Sequence, residues 1–203
     1  MIALVDYGAG NVRSVQKALT AAGGDVRLVS TPDKVAQADA VVLPGVGAFD
    51  DCINAMQRQE LVESIREFIT SGKPFLGICV GYQALFEKSE EFNSCSSGMD
   101  VFEGKVIRFS GKGIKIPQIG WNQVNIQKPD CPIFDGIDSG SYFYFVHSYF
   151  PEPRDSSIVA SRTTYGVEFC SAIWKGNVFA TQFHPEKSQK AGIKLLVNFV
   201  GLI

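Results

Sequence analysis

Four short runs in the N-terminal part of the chain constrain its fold more than any other feature. They are IALVDY (Ile2–Tyr7), VRLV (Val26–Val29), AVVLPG (Ala40–Gly45) and PFLGIC (Pro74–Cys79). Each has the length of a strand and is bounded by turn residues. Between them, apolar residues recur at helical spacing. Val12, Val15, Leu19 and Ala22 precede Gly23-Gly24, and Leu61, Ile65, Phe68 and Ile69 lie in ELVESIREFITSG. Strands apolar throughout, alternating with amphipathic helices, predict an α/β fold: an open, mostly parallel sheet with helices on both faces.

From Val101 onward the texture changes. KVIRF, QIGWNQVNI, YFYFVHSYF, SIVASRTTY and FCSAIWKGNVFATQFH are rich in β-branched and aromatic residues, with a turn signal at Lys175-Gly176-Asn177. They predict an antiparallel β extension in the second half of the chain. A closing helix is expected to use Ile193, Leu196, Val197 and Val200 as its apolar face. A length of 203 residues suits one domain, residues 1–203, and 45% hydrophobic residues supply a core without disulfides or a structural metal.

Charge and cysteine usage exclude several classes. The net charge is −2 and Lys and Arg form no run, which argues against nucleic acid and anionic membranes as partners. MIALVDYGAGN has no basic flank and carries Asp6, so it reads as a strand and not a signal peptide; no apolar stretch approaches a membrane span. The five cysteines (Cys52, Cys79, Cys95, Cys131, Cys170) form no CxxC pair, and an odd count in a chain of this size predicts free thiols and a cytoplasmic location. Neither of the two histidines has a cysteine nearby, which argues against a Cys/His metal site.

In sheets of this type ligands collect at the carboxyl ends of the strands, where YGAGN, PGVGAF and GICVGYQ fall. The dinucleotide fingerprint fails in the first two, because its sixth position holds Arg13 or Asp50, and no P-loop lysine-hydroxyl pair follows. No cofactor is expected. The third loop frames Cys79 between Gly77 and Gly81 as G-x-C-x-G, the thiol version of a nucleophile elbow. Such a turn needs small neighbours, pushes the thiol into the open, and is followed by a helix whose positive end favours thiolate.

A thiolate that attacks a carbonyl also needs a base and donors for the oxyanion. FATQFHPEKS supplies His184 and, two residues on, Glu186; in an extended segment both point the same way, so the carboxylate can orient the ring. Backbone N–H groups of Val80 and of the loop around Gly47 would complete the oxyanion hole. Taken singly, each residue has a plainer reading: Cys79 as a small buried hydrophobe, His184 as a hydrogen-bonded histidine, Glu186 as a solvated acid. The elbow and the His-x-Glu pattern together outweigh those readings. The other four cysteines lack the glycine frame. His147, alternating with aromatics in YFVHSY, stands equally as a strand histidine or a site-lining one.

PGVGAF, GICVGYQ and HPE together resemble the class I glutamine amidotransferases from end to end. Within that class, DYGAGN, PGVGAF, IGWN and YFVHSY resemble the glutaminase subunits of imidazole glycerol phosphate synthase in histidine biosynthesis. The resemblance implies the class I fold and a Cys-His-Glu triad that releases ammonia from glutamine. It makes Cys79 the nucleophile, His184 the proton shuttle and Glu186 its orienter, and puts Gln83 on the glutamine head, with Ser148 and Tyr149 assisting. It also implies a heterodimer in which ammonia passes to a (β/α)8-barrel cyclase subunit that makes imidazole glycerol phosphate and aminoimidazole carboxamide ribonucleotide. Asn11, Gln118, Trp121 and Lys187 fall in segments resembling the family's partner-facing edge; a core aromatic is the alternative for Trp121. Gln118 stands where relatives commonly carry His. Two other readings remain: a glutaminase serving pyridoxal phosphate or anthranilate synthesis, and a silent partner-binding subunit. The PGVG element differs from the GGES element of the pyridoxal group and the PGPG element of the anthranilate group, and the intact triad opposes the silent-subunit reading.

Overall fold

The computed structural model describes residues 1–8, 11–111 and 113–203, with the backbone alone for Asn93. The YGAGN loop runs through Ala9 and Gly10, which lie outside the described residues. The parallel half comprises β1 (Ile2–Val5), α1 (Val12–Ala21), β2 (Val26–Val29), α2 (Pro32–Ala36), β3 (Ala40–Gly45), α3 (Phe49–Arg58), α4 (Leu61–Thr70), β4 (Phe75–Cys79) and the single-turn α5 (Val80–Gln83). Then follow β5 (Phe86–Ser89), β6 (Phe102–Arg108), β7 (Gln118–Ile126), β8 (Ser141–His147), β9 (Tyr149–Pro153), β10 (Val159–Tyr165), β11 (Val167–Lys175), β12 (Val178–Thr181) and α6 (Gln189–Val200).

Nine strands form one sheet in the order β2-β1-β3-β4-β12-β11-β10-β7-β8, and β5-β6-β9 form a smaller one. The large sheet is parallel from β2 through β12 and antiparallel from β11 to β8. Strand β2 lies on one side of β1 and β3 on the other, so right-handed crossovers place α1 and α2 on opposite faces. Accordingly α1 packs with α6, and α4 with α2 and α3.

Strands β1, β3 and β4 are buried along their whole length, as their apolar runs predict. VRLV departs from the pattern: Arg27 and Leu28 are exposed, because β2 is the sheet's edge and is covered less completely. In α4, Leu61, Ile65, Phe68 and Ile69 are buried, as expected. The closing helix keeps most of the predicted face: Leu196 is buried and Ile193 and Val200 pack against the core, whereas Val197 is exposed. Leu195 and Phe199 are buried beside them, Phe199 edge-on to Phe179. Among the antiparallel strands, Phe109, Phe145 and Phe169 surround His147, and Phe150 packs against Phe109 and Phe169. Each buried phenylalanine there contributes about 2 kcal/mol from area alone.

Candidate active site

The corner at Cys79 is built by close backbone approach. Cys79 ends β4 with φ +56° and ψ −111°, a left-handed conformation that costs a non-glycine residue about 1–3 kcal/mol. A Cβ at Gly81 would lie 2.0 Å from the Leu43 carbonyl oxygen, and one at Gly45 would lie 2.5 Å from the Gly81 nitrogen. Only glycine at both places lets the turn after β4 press against the end of β3. The other glycine of the G-x-C-x-G frame is constrained as well, because a Cβ at Gly77 would lie 2.9 Å from the Gly81 carbonyl oxygen.

Two sequence expectations about this corner change. Cys79 is 4% exposed, so the turn presents the sulfur to a covered cavity and not to open solvent. The following α5 has only four residues, so few peptide dipoles align toward the thiol. The charge beside the sulfur comes from His184 instead.

Register brings that histidine in. Strand β12 pairs with β4 so that Thr181 stands opposite Ile78, and the chain continues past Cys79 through Gln182 and Phe183 to His184. His184 Nδ1 lies 2.8 Å from Glu186 Oε1, and both side chains are buried, at 2% and 1% exposure. The reach is not that of an extended segment: Pro185–Lys187 form a 3-10 turn, which folds the carboxylate back beneath the ring. Ser188 Oγ donates to the His184 carbonyl oxygen and accepts from the Tyr144 N–H, tying the turn to β8.

Burial alone would strip His184 of its proton. Cys79, by charge and by hydrogen bonding, and then Glu186 reverse this and raise the ring to about 10. Nε2 is buried and has no hydrogen bond of ordinary geometry among the described residues, so it is the ring atom left for chemistry. The other buried thiols differ. Burial pushes Cys52 and Cys131 up to about 12 and Cys170 to about 11, which keeps them protonated and inert.

Cys79 and His184 line one cavity of about 230 Å³, the scale of a single amino acid. Of the remaining candidates, Gly47, Val80, Gln83, Ser148 and Tyr149 all border it. Gln83 is 3% exposed, and its Nε2 donates to the Tyr149 carbonyl oxygen at 3.0 Å and to Gln182 Oε1 at 3.1 Å. Its own carbonyl oxygen is therefore the end left for a ligand. Asn11 begins α1 and borders a small crevice with Val46, His184 and Glu186.

Gln118 is a correction. It is 3% exposed, and its amide meets His147, so it offers no side chain to a partner's surface. Alternation along β7 turns it inward and its neighbours Ile119 and Trp121 outward. Trp121 is 45% exposed, which removes the core-aromatic reading, and its ring meets Tyr144 edge-on. Lys187 is exposed, with Nζ 5.7 Å above the Tyr144 ring.

Three further residues escaped the sequence reading. Gln182 places Nε2 3.7 Å from Cys79 Sγ. Glu91 borders the cavity, and burial raises its carboxyl against the opposing pull of the Phe49 N–H that donates to it. Tyr7, buried, donates its hydroxyl to the Pro44 carbonyl oxygen at the root of the Gly47 loop. Gln182 was legible as the residue before Phe183-His184 in a strand that must pass the thiol; Glu91 and Tyr7 carried no local signal.

The chain matches the family described as glutamine amidotransferase class-I over residues 3–201. It is 51% identical to a protein of Syntrophotalea carbinolica named imidazole glycerol phosphate synthase subunit HisH, over 98% of each chain. A protein of the same name from Acinetobacter baylyi is 49% identical over 98% of this chain and 97% of its own. Among solved structures, one described as PurLQS from Thermotoga maritima superposes with a TM-score of 0.76 at 20% identity, covering 98% and 97% of the two chains. The glutaminase domain of a Trypanosoma brucei CTPS gives 0.71 at 15% identity, covering 99% and 91%. These last two likenesses carry the fold alone. The chain belongs to the class-I glutamine amidotransferase family, in the branch of the imidazole glycerol phosphate synthase HisH subunits.

Proposed function

We propose that this chain, as one domain spanning residues 1–203, hydrolyses the side-chain amide of glutamine and hands the ammonia to a (β/α)8-barrel cyclase subunit. The observation that carries the reading is the buried His184–Glu186 pair at 2.8 Å, with His184 and Cys79 lining one cavity. The Cys79 thiolate attacks the amide carbon, and the N–H groups of Val80 and Gly47 receive the oxyanion. His184 gives its proton to the departing nitrogen, so ammonia leaves and a γ-glutamyl thioester remains. Water then attacks that thioester; His184 takes up its proton, the sulfur leaves, and glutamate is released. Glu186 holds the ring in its working tautomer throughout.

The cavity wall fits an amino-acid head. The Gln83 carbonyl oxygen and the Glu91 carboxylate accept from the α-ammonium group, with Ser148 and Tyr149 alongside. The acceptor subunit docks on the outward face of β7 and β8, where Ile119, Trp121 and Tyr142 are exposed, with Lys187 and Asn11 at the margin. Large exposed aromatics grouped on one strand pair suit a protein interface. Docking also serves the chemistry. Ammonia in neutral water becomes ammonium, which is not a nucleophile, so an enclosed transfer keeps it reactive. Cys52, Cys79, Cys131 and Cys170 form no disulfide, which suits a reducing cytoplasm. No helix among the described residues is long and apolar enough to cross a membrane.

The test is glutamate release with and without the cyclase and its ligand. Activity should be weak alone and rise sharply in the complex; activity indifferent to the cyclase would remove that partner while leaving the glutaminase. In the complex, Cys79→Ala should abolish glutamine-dependent synthesis while added ammonium salt restores it.

A further inference from the structure

One chain of hydrogen bonds crosses the molecule from β7 to the nucleophile. Gln118 and His147 are direct partners in the β7–β8 ladder, and Gln118 Oε1 lies 3.1 Å from His147 Nε2. His147 Nδ1 lies 2.9 Å from the Tyr149 carbonyl oxygen. That same oxygen accepts from Gln83 Nε2 at 3.0 Å; Gln83 reaches Gln182 at 3.1 Å, and Gln182 Nε2 stands 3.7 Å from Cys79 Sγ. Gln83, Gln118, His147 and Gln182 are all buried, and no charged side chain enters the chain of contacts before the sulfur.

We infer that Gln118 and His147 are positioning residues for glutamine, setting the Tyr149 carbonyl that aims Gln83 into the cavity. The inference rests on the reading of Gln83 as a contact of the glutamine head. Chemistry fixes the direction of each bond. A carbonyl only accepts, so His147 Nδ1 carries the ring's proton, and a neutral ring must then accept at Nε2. The Gln118 amide therefore turns its NH2 end toward His147, a half-rotation that exchanges its oxygen and nitrogen. Neutrality has two further supports: the ring is enclosed by Phe109, Phe145 and Phe169, and the charged His184 lies close enough to repel a second cation.

The corner being fixed is a break in the ladder. Strand β8 ends at His147 and β9 begins at Tyr149 in the other sheet, so the single residue Ser148 separates them at the cavity wall. Without the His147 bond, the Tyr149 carbonyl would be held by Gln83 alone and both could drift. Gln118 also shares its strand with outward Ile119 and Trp121, so a shift of β7 on docking would move the partner of His147 directly.

The experiment is steady-state glutamine hydrolysis by the complex with the cyclase subunit, comparing Gln118→Leu, Gln118→His, Gln83→Ala and the Gln118→Leu/Gln83→Ala double variant. Loss of one neutral hydrogen bond should raise KM for glutamine about three- to tenfold in Gln118→Leu while kcat stays nearly constant. Gln118→His restores a donor to Nε2 and should return KM to near wild type. The double variant should match Gln83→Ala alone, because both act through one carbonyl. Unchanged KM in Gln118→Leu beside a raised KM in Gln83→Ala would overturn the positioning role and leave the Gln83 reading intact. Unchanged KM in Gln83→Ala would overturn that reading and the inference with it. If Gln118→Leu fails to fold, Gln118→Asn, with its amide one methylene short, should show the same KM rise, and its absence would count equally against the role.

Discussion

The chain's two histidines lie buried against the same cavity yet hold their protons oppositely: His184 is raised to about 10 and His147 lowered to about 3. Burial works against the charge on both. The difference lies in what each region supplies. The carboxyl end of the parallel strands sets Cys79 and Glu186 around His184, two groups that stabilise a cation. The antiparallel hairpin offers His147 an amide, a carbonyl and three phenylalanines, and burial there outweighs the pull of the Tyr149 carbonyl and leaves the ring neutral. On the proposed reading, one region moves a proton and the other holds a shape. A buried histidine's identity therefore says little about its role until its partners are named.

The contrast can be broken most easily at its charged end. His184→Ala should lower kcat for glutamine hydrolysis by about 10²–10⁴-fold, measured as glutamate release by the complex. A loss no larger than a few fold would return His184 to the structural role assigned to His147. Glu186→Gln should cost less, about ten- to a hundredfold in kcat, because the ring remains but loses a charge-assisted bond. Equal losses in the two variants would contradict the division between shuttle and orienter.

A smaller effect sharpens the comparison through stability. The folded value of His184 lies above its unfolded value of 6.5, so its contribution is full below that pH. It declines above pH 6.5 and is lost as pH rises through about 10. Melting temperatures of the wild type and His184→Asn should therefore differ most in mildly acidic buffer and converge toward pH 10. A gap that widened with pH would mean the ring is buried neutral, like His147.

Much of the parallel half was legible because its strands are buried on both faces, which leaves apolar runs in β1, β3 and β4 that nothing else explains. The elbow was legible in part for a related reason: Gly77 answers to the Gly81 carbonyl within the motif, whereas Gly81 and Gly45 answer to the approach of the turn to the end of β3. What local pattern could not carry is where side chains turn once sheets pair. The interior position of Gln118 follows from its register with His147, and the covering of Cys79 follows from elements far along the chain. Glu91 reaches the cavity from a 3-10 turn whose carboxylate is anchored by the Phe49 N–H, a contact across 42 residues. His184 and Glu186 were paired correctly from their spacing but through the wrong conformation, since proline at 185 starts a tight turn where an extended segment was expected.

Labelling of the nucleophile tests the account most directly. The complex, treated with a chloroketone analogue of glutamine and digested, should carry one adduct on Cys79 by mass spectrometry, with free glutamine protecting it. Cys52, Cys131 and Cys170 should stay unmodified. An adduct absent from Cys79, or one formed there at the same rate in excess glutamine, would contradict the claim that this thiol, His184 and Glu186 open an amide in that cavity.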